Sequence, residues 1–304
     1  MIIQNLLLSH TSSTTSRILP IHSPCDQDNM LAYTLLAMLA AAIFVHAQMP
    51  LSPMPPLTNT TTVPVHFGFV VFPSLTPLDM FGPMEILIGL SIYYGNVTGK
   101  MHMSILGAEN TSSTCAPPNS QFGMGLSPTV TFDEYRELAQ NNFTTGKHAE
   151  KGPLDVLIVP GGGGTRGNVS REIAFVKEIY PSLEYVMSVC TGSTILARAG
   201  VLDNKRATTN KKAWAWATTF GTNVTYQTGR WVKDGNTYTT SGVSAGADGT
   251  LGFIADVYGA AAAQYVADSS EWTRVANASY DPFAERWGVV AKEYLFLLAS
   301  YEAL

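Results

Sequence analysis

Apolar residues fall in short unbroken blocks, separated by longer stretches with a helical spacing. Val65-His-Phe-Gly-Phe-Val-Val-Phe72, Met101–Ala108, Leu154-Asp-Val-Leu-Ile-Val-Pro160 and Tyr185–Val189 are rich in β-branched and aromatic residues. Blocks without apolar–polar alternation mark strands buried on both faces, as in parallel sheets. Helical patterns cover Ile86–Tyr94, Asp133–Gln140, Glu172–Tyr180 (stopped by Pro181), the Ala/Leu run after Cys190, and a stretch from Gly242 to Tyr258. From Ala260 to the end the pattern is again helical, broken around Tyr280-Asp-Pro282. Gly123–Val130 reads as a hairpin excursion, Ala207–Asn210 as a short strand and Lys211–Phe220 as a Trp-rich helix. Thr222–Gln227, Arg230–Lys233 and Tyr238–Ser241 read as strands, the last two joined at Asp234-Gly235. Strands alternating with helices predict an α/β fold with a mostly parallel sheet covered on both faces. In such a sheet a site forms at the carboxyl ends of the strands, where the loops after Phe72, after Pro160 and at Cys190 converge.

The stretch around Cys190 carries the chemistry. A strand pattern ends on this cysteine, and Thr191-Gly192 turns the chain straight into a helix. A nucleophile at such an elbow is lifted from the sheet on a strained turn. Gly192 lets the helix fold back close to the strand, and free N–H groups beside the sulfur favour thiolate over thiol. The competing reading is a small buried apolar residue.

The amino-terminal region is of a different character. Residues 1–29 are Ser/Thr-rich and without apolar period, and read as a leader or gene-model extension. Met30–Ala47 is an apolar run of about 17 residues ending in Val45-His-Ala47, the form of a signal peptide. The alternative is a membrane anchor over 31–47, for which the run is short and lacks a basic flank. Residues 48–63 form a Pro/Thr-rich linker, 64–268 the folded domain and 269–304 a C-terminal helical extension. Asn-x-Ser/Thr sequons stand at Asn59, Asn96, Asn110, Asn142, Asn168, Asn223 and Asn277, seven of fourteen asparagines. Chance would give roughly two or three, so the expectation is a secreted glycoprotein with no stable membrane anchor. Beyond the signal only Cys115 and Cys190 remain, and a disulfide between them would remove the nucleophile. The net charge of -5, without any Lys/Arg run, argues against nucleic acid as a partner.

Five motifs occur in order: Asp79-x-x-Gly82-Pro83-x-Glu85, Asp155-Val-Leu-Ile-Val-Pro-Gly-Gly162, Ser188-Val-Cys-Thr-Gly192, Ala207-Thr-Thr, and Ser241-Gly-Val-Ser-Ala-Gly-Ala-Asp248. Together they resemble the DJ-1/PfpI superfamily, within the class I glutamine amidotransferase-like group, and most closely its isocyanide hydratase-like branch. The resemblance covers Val65 to Asp268. It implies a flavodoxin-like three-layer sandwich with a cysteine nucleophile elbow at Cys190, and an acid, Asp79, hydrogen-bonded to that cysteine. It also implies Thr191 beside the reacting centre. Oxyanion donors would come from the N–H groups of Gly162 and Thr191, and Gly161, Asn210 and Gly242 would contribute to binding a small-molecule substrate.

The resemblance further implies chemistry without metal or organic cofactor, and relatives that commonly form homodimers. Members that hydrolyse peptides place His directly after the cysteine, and deglycase-like members supply one after the Thr-Thr pair; here these positions are Thr191 and Asn210. The expectation is therefore a hydratase without a Cys–His dyad. A glyoxalase- or deglycase-like thiol enzyme and a non-catalytic binding protein stay open as alternatives. A regulator is the weakest reading, since no helix-turn-helix pattern follows the core.

Overall fold

The computed structural model describes residues 53–59, 62–111, 113–117 and 119–289. The signal-like run and the leader lie outside the described residues. The described residues from Met54 onward form one unit.

The buried blocks become the sheet. Strands β1 (His66–Val71), β2 (His102–Gly107), β5 (Val130–Thr131), β6 (Val156–Val159), β7 (Tyr185–Val189), β10 (Trp231–Asp234) and β11 (Thr237–Thr240) form a seven-stranded sheet in the order β10-β11-β7-β6-β1-β2-β5. Only the β10–β11 pair is antiparallel. Every residue of β1 and β6 is buried, as expected of strands covered on both faces. The excursion after β2 holds a short antiparallel pair, β3 (Ser113–Thr114) with β4 (Gly125–Leu126). A second small sheet pairs β8 (Arg206–Ala207) with β9 (Thr225–Tyr226) in parallel.

The helices are α1 (Pro77–Thr98), α2 (Phe132–Gln140), α3 (Ser170–Ile179), α4 (Ser193–Arg198), α5 (Trp214–Ala217), α6 (Ala245–Val257), α7 (Ala260–Ser269) and α8 (Pro282–Arg286). Helices α1, α6 and α7 pack together over one face, and α3 packs with α4 over the other. This is the flavodoxin-like sandwich. Helix α2 starts at a full capping box, Thr131 with Glu134, which fixes the exit from β5.

Three local readings change. The Trp-rich helix shortens to Trp214–Ala217, flanked by turns, and the chain leaves it at Gly221, whose φ of +85° is left-handed. Among the described residues the helical pattern from Ala260 ends at Ser269 and resumes only over α8, and the rest of the predicted extension, 290–304, lies outside them. Between them tertiary bonds claim the chain: Asp248 accepts from the Trp272 indole and the Val275 N–H, and the Ala278 carbonyl accepts from the Arg230 N–H. The described part of the Pro/Thr-rich stretch is laid onto the domain rather than standing off it. Thr58 N–H donates to the Tyr258 carbonyl, Tyr94 Oη to that of Pro55 and Tyr258 Oη to that of Pro64.

Candidate active site

Three carboxyl-end loops build one centre. Directly after β1, Thr76 N–H donates to the Gly161 carbonyl (2.9 Å) and Gly164 N–H to the Ser74 carbonyl (3.1 Å), so the loops after β1 and β6 are stitched together. That contact sets the start of α1, whose first turn carries Asp79. Asp79 does not cap its own helix. Its Oδ2 accepts from the Gly161 N–H at 2.9 Å. A Cβ on Gly161 would stand 2.5 Å from the Thr191 nitrogen and 2.9 Å from Asp79 Oδ2, so only glycine allows the β6 loop to lie against the elbow.

The elbow follows β7. Cys190 has φ +59°, a left-handed conformation that is strained for a non-glycine residue, and is 5% exposed. A Cβ on Gly192 would fall 2.1 Å from the Val159 carbonyl oxygen, which is the close approach that the glycine permits. The Cys190 carbonyl accepts from the hydroxyls of Ser193 and Thr209, both at 3.2 Å, so the second threonine of the Thr-Thr pair braces the elbow.

Cys190 and Asp79 titrate against each other. Burial of Asp79, which is 0% exposed, raises its carboxyl from the usual 3.8 to about 7, with the Gly161 N–H and the Cys190 thiol pulling the other way. The Cys190 thiol is raised well above its ordinary value, first by burial and then by the Asp79 charge. The N–H and hydroxyl of Thr191 lower it without offsetting these. Burial and the Asp79 charge thus work against the thiolate that the elbow by itself would favour. Asp79 Oδ1 is buried without a hydrogen-bond partner, so one carboxyl oxygen is available to take a proton.

Thr191 sits under the glycine turn. Its Oγ1 accepts from the Gly162 N–H at 3.0 Å and from Thr165 Oγ1 at 3.1 Å. The Gly162 N–H therefore positions Thr191 rather than standing free as an oxyanion donor. Thr191 N–H is directed at the Cys190 sulfur.

Asn210 and Gly242 lie one shell further out. Both line a cavity of about 330 Å³ with Leu78, Val243, Phe283 and Trp287. A larger cavity, about 700 Å³, lies at the opposite end of the sheet between residues 54–65 and the last turn of α1, away from this chemistry. The sequence reading missed Thr165, whose place in a glycine loop carries no signal, and Thr209 as a brace. Cys115 and Cys190 are both free and buried, with no disulfide between them.

No described histidine reaches the centre. His66 and His102 open β1 and β2 at the amino end of the sheet, and His148 precedes β6. His66 is buried between the Gly152 and Pro153 carbonyls and Ser104 Oγ, and burial lowers it to about 4. Among the described residues no group of three or more His, Cys, Asp or Glu could hold a metal, and no helix is long and apolar enough to cross a membrane.

The DJ-1/PfpI family matches residues 110–255, which include the elbow but not Asp79. An isonitrile hydratase from Pseudomonas putida is 31% identical over 205 residues, 66% of this chain and 76% of that protein. Among solved structures, a ThiJ/PfpI family protein from Pseudomonas syringae has a TM-score of 0.53 at 24% identity, over 77% of this chain and 84% of that one. Drosophila melanogaster DJ-1beta has a TM-score of 0.51 at 16% identity, over 68% and 98%. An AraC family transcriptional regulator from Pseudomonas putida has a TM-score of 0.55 at 16% identity, over 68% and 100%, so the fold alone selects no function. With the fold, the order of motifs and the hydratase relative in agreement, the chain belongs to the DJ-1/PfpI family.

Proposed function

We propose that this protein is a cysteine-dependent hydratase that adds water to an isocyanide and releases an N-substituted formamide. The observation that carries the reading is the buried Asp79–Cys190 pair: a carboxyl with one oxygen on the Gly161 N–H and the other without a partner stands at a cysteine on a strained elbow, with no described histidine beside them. The isonitrile hydratase relative supports it.

An isocyanide presents an electrophilic terminal carbon. Cys190 Sγ bonds to that carbon while its proton passes through Asp79 to the same carbon, giving a thioimidate, R–N=CH–S–Cys190. A group titrating near neutrality both accepts and returns a proton there. Water then adds to the thioimidate carbon and its proton goes to nitrogen by way of Asp79. The C–S bond breaks, the thiol regains a proton and R–NH–CHO leaves. The Thr191 hydroxyl is engaged by the glycine turn and positions the residue, and the Thr191 N–H steadies charge on sulfur as the bond breaks.

The test is mass-spectrometric detection of formamide from an alkyl isocyanide by the purified protein. Cys190→Ala should abolish turnover, and an active Cys190→Ala would refute the reading. The deep burial of Cys190 favours one rival, a non-catalytic binding protein on the same scaffold. In that case no isocyanide turns over and Cys190 stays inert to alkylation even at high pH.

We further infer a secretory, glycosylated protein. The sequons support it, because Asn96, Asn110, Asn142, Asn168, Asn223 and Asn277 are exposed. Asn59 is partly buried with its amide on the Val257 carbonyl, a position unsuited to carry a glycan once folded. A mature amino terminus after Ala47 and a mass shift on glycosidase treatment would support the inference; retention of Met30–Ala47 on an unglycosylated chain would overturn it.

A further inference from the structure

The C-terminal stretch leaves the sandwich after α7 and returns across the carboxyl end of the sheet. It is held there by buried charge. Asp281, whose side chain is 0% exposed, bonds Lys211 Nζ at 3.1 Å and Ser241 Oγ at 2.5 Å, and its other oxygen accepts from the Phe283 N–H at 3.1 Å. One carboxylate thus fixes the strap to the core and starts the turn that aims Phe283 and Trp287. Asp248 holds the upstream part through Trp272, Val275 and Arg230.

The strap ends as a wall of the 330 Å³ cavity, facing Leu78 and Val243. Leu78, Phe283 and Trp287 are 44%, 37% and 52% exposed, so three large apolar side chains border this space without being covered. Cys190 and Asp79 do not themselves line the cavity, but several of its walls are their neighbours along the chain or across the sheet. Leu78 precedes Asp79, Asn210 follows the Thr209 that braces the Cys190 carbonyl, and Gly242–Ala245 continue from β11, paired to β7 up to Val189. Two of the cations around it are already neutralised, Lys211 by Asp281 and Arg230 by Asp248. Lys212 lies at the rim, its ammonium 5.4 Å from the Trp287 ring centre. The interior offers apolar surface and no unpaired buried charge to a ligand.

We propose that this strap is the specificity wall of the Cys190 site, with Phe283 and Trp287 receiving an aromatic or branched aliphatic substituent on the electrophile that Cys190 attacks. The inference rests on the hydratase reading for the reacting group, an isocyanide, but the pocket itself is independent of that group. Burying a ring against Leu78, Val243, Phe283 and Trp287 favours such substrates over small or anionic ones by about ten-fold or more.

The test compares alkylation of Cys190 by N-phenylmaleimide and N-methylmaleimide, with free cysteine giving the intrinsic rate ratio. The protein should favour the phenyl reagent about ten-fold beyond that ratio. Phe283→Ala and Trp287→Ala should bring the ratio back toward that of free cysteine, Trp287→Phe should restore much of it, and Tyr280→Ala, an exposed ring on the same strap outside the cavity, should leave it unchanged. A wild-type ratio equal to that of free cysteine, or one unaltered by both alanine variants, overturns the proposal. If Cys190 reacts with neither reagent, the nucleophile reading fails by itself. The pocket is then read from calorimetric binding of N-benzylformamide against N-methylformamide. A preference for the benzyl compound that Trp287→Ala removes supports the wall, and equal affinities overturn it.

Discussion

At the scale of single residues the site turns on one shared environment. Asp79 is raised from 3.8 to about 7 by burial, so between those values the folded chain binds a proton that the unfolded chain does not. Stability therefore falls as pH rises through that window, and Asp79 is destabilising at neutral pH relative to a neutral isostere. Asp79→Asn should raise unfolding free energy at pH 8 by on the order of 3 kcal/mol, with the gap closing toward pH 4, in denaturant titrations. The same variant should lose roughly 100-fold or more in isocyanide turnover, because nothing else described at the sulfur relays a proton. It should nonetheless label faster with iodoacetamide at pH 8, since after burial the Asp79 charge is the largest cause that holds the Cys190 thiol up. Slower labelling would show that the carboxylate activates the resting thiol. Thr191→Val would leave the Gly162 N–H without its acceptor. A loss of about 1–3 kcal/mol in thermal or denaturant unfolding is expected. The identities of Cys190, Asp79 and Thr191 were legible in the sequence because motif order carries them. Their protonation was not, since it depends on how completely the neighbouring loops exclude water.

At the scale of elements, the elbow exists because two backbones approach too closely for any side chain between them. Gly192→Ala places a methyl 2.1 Å from the Val159 carbonyl, an atom fixed in the middle of the sheet. We expect a destabilisation of about 3 kcal/mol or more, with Cys190 displaced and turnover lost, measured by thermal unfolding and formamide release together. A Gly192→Ala protein with wild-type melting and activity would mean that the elbow is looser than its geometry requires. The strands were readable from unbroken apolar blocks such as Phe67–Phe72 and Val156–Val159, because full burial leaves no other composition. Short pieces were legible only in part: β9 lies within the predicted Thr222–Gln227 and β8 meets the predicted Ala207–Asn210 at Ala207, but their pairing depends on Lys205 and Ala207 carbonyls meeting Thr225 and Gln227. The glycine turn after β6 was legible as a turn, but the engagement of its N–H groups with Asp79 and Thr191 was not. Such partners come from distant segments and leave no local pattern.

At the scale of the whole molecule, the strap is what sequence reading most misjudged, and the reason is one ion pair. In the sequence Lys211 only opens a Trp-rich helical pattern and Asp281 only falls in the break before Pro282, and nothing local couples the two. In the fold Lys211 and Asp281 are 1% and 0% exposed at their side chains and meet at 3.1 Å. Lys211 Nζ also reaches Thr208 Oγ1, the Thr209 and Gly229 carbonyls and Ser241 Oγ. Removing one partner leaves the other charge buried, which costs roughly 3–5 kcal/mol, whereas replacing both with apolar residues of similar volume costs less. Asp281→Ala should therefore destabilise more than the double variant Lys211→Met with Asp281→Leu, in denaturant unfolding at pH 7. Burial lowers Lys211 from 10.5 to about 8, so from there up to its unfolded value the unfolded chain binds the extra proton and stability rises with pH. The stability gap between wild type and Lys211→Met should accordingly widen between about pH 8 and pH 10. A gap that stays flat across that range would mean that Lys211 keeps its charge throughout, and that the strap is fixed by a permanent ion pair rather than by a lysine poised near the pH of its surroundings.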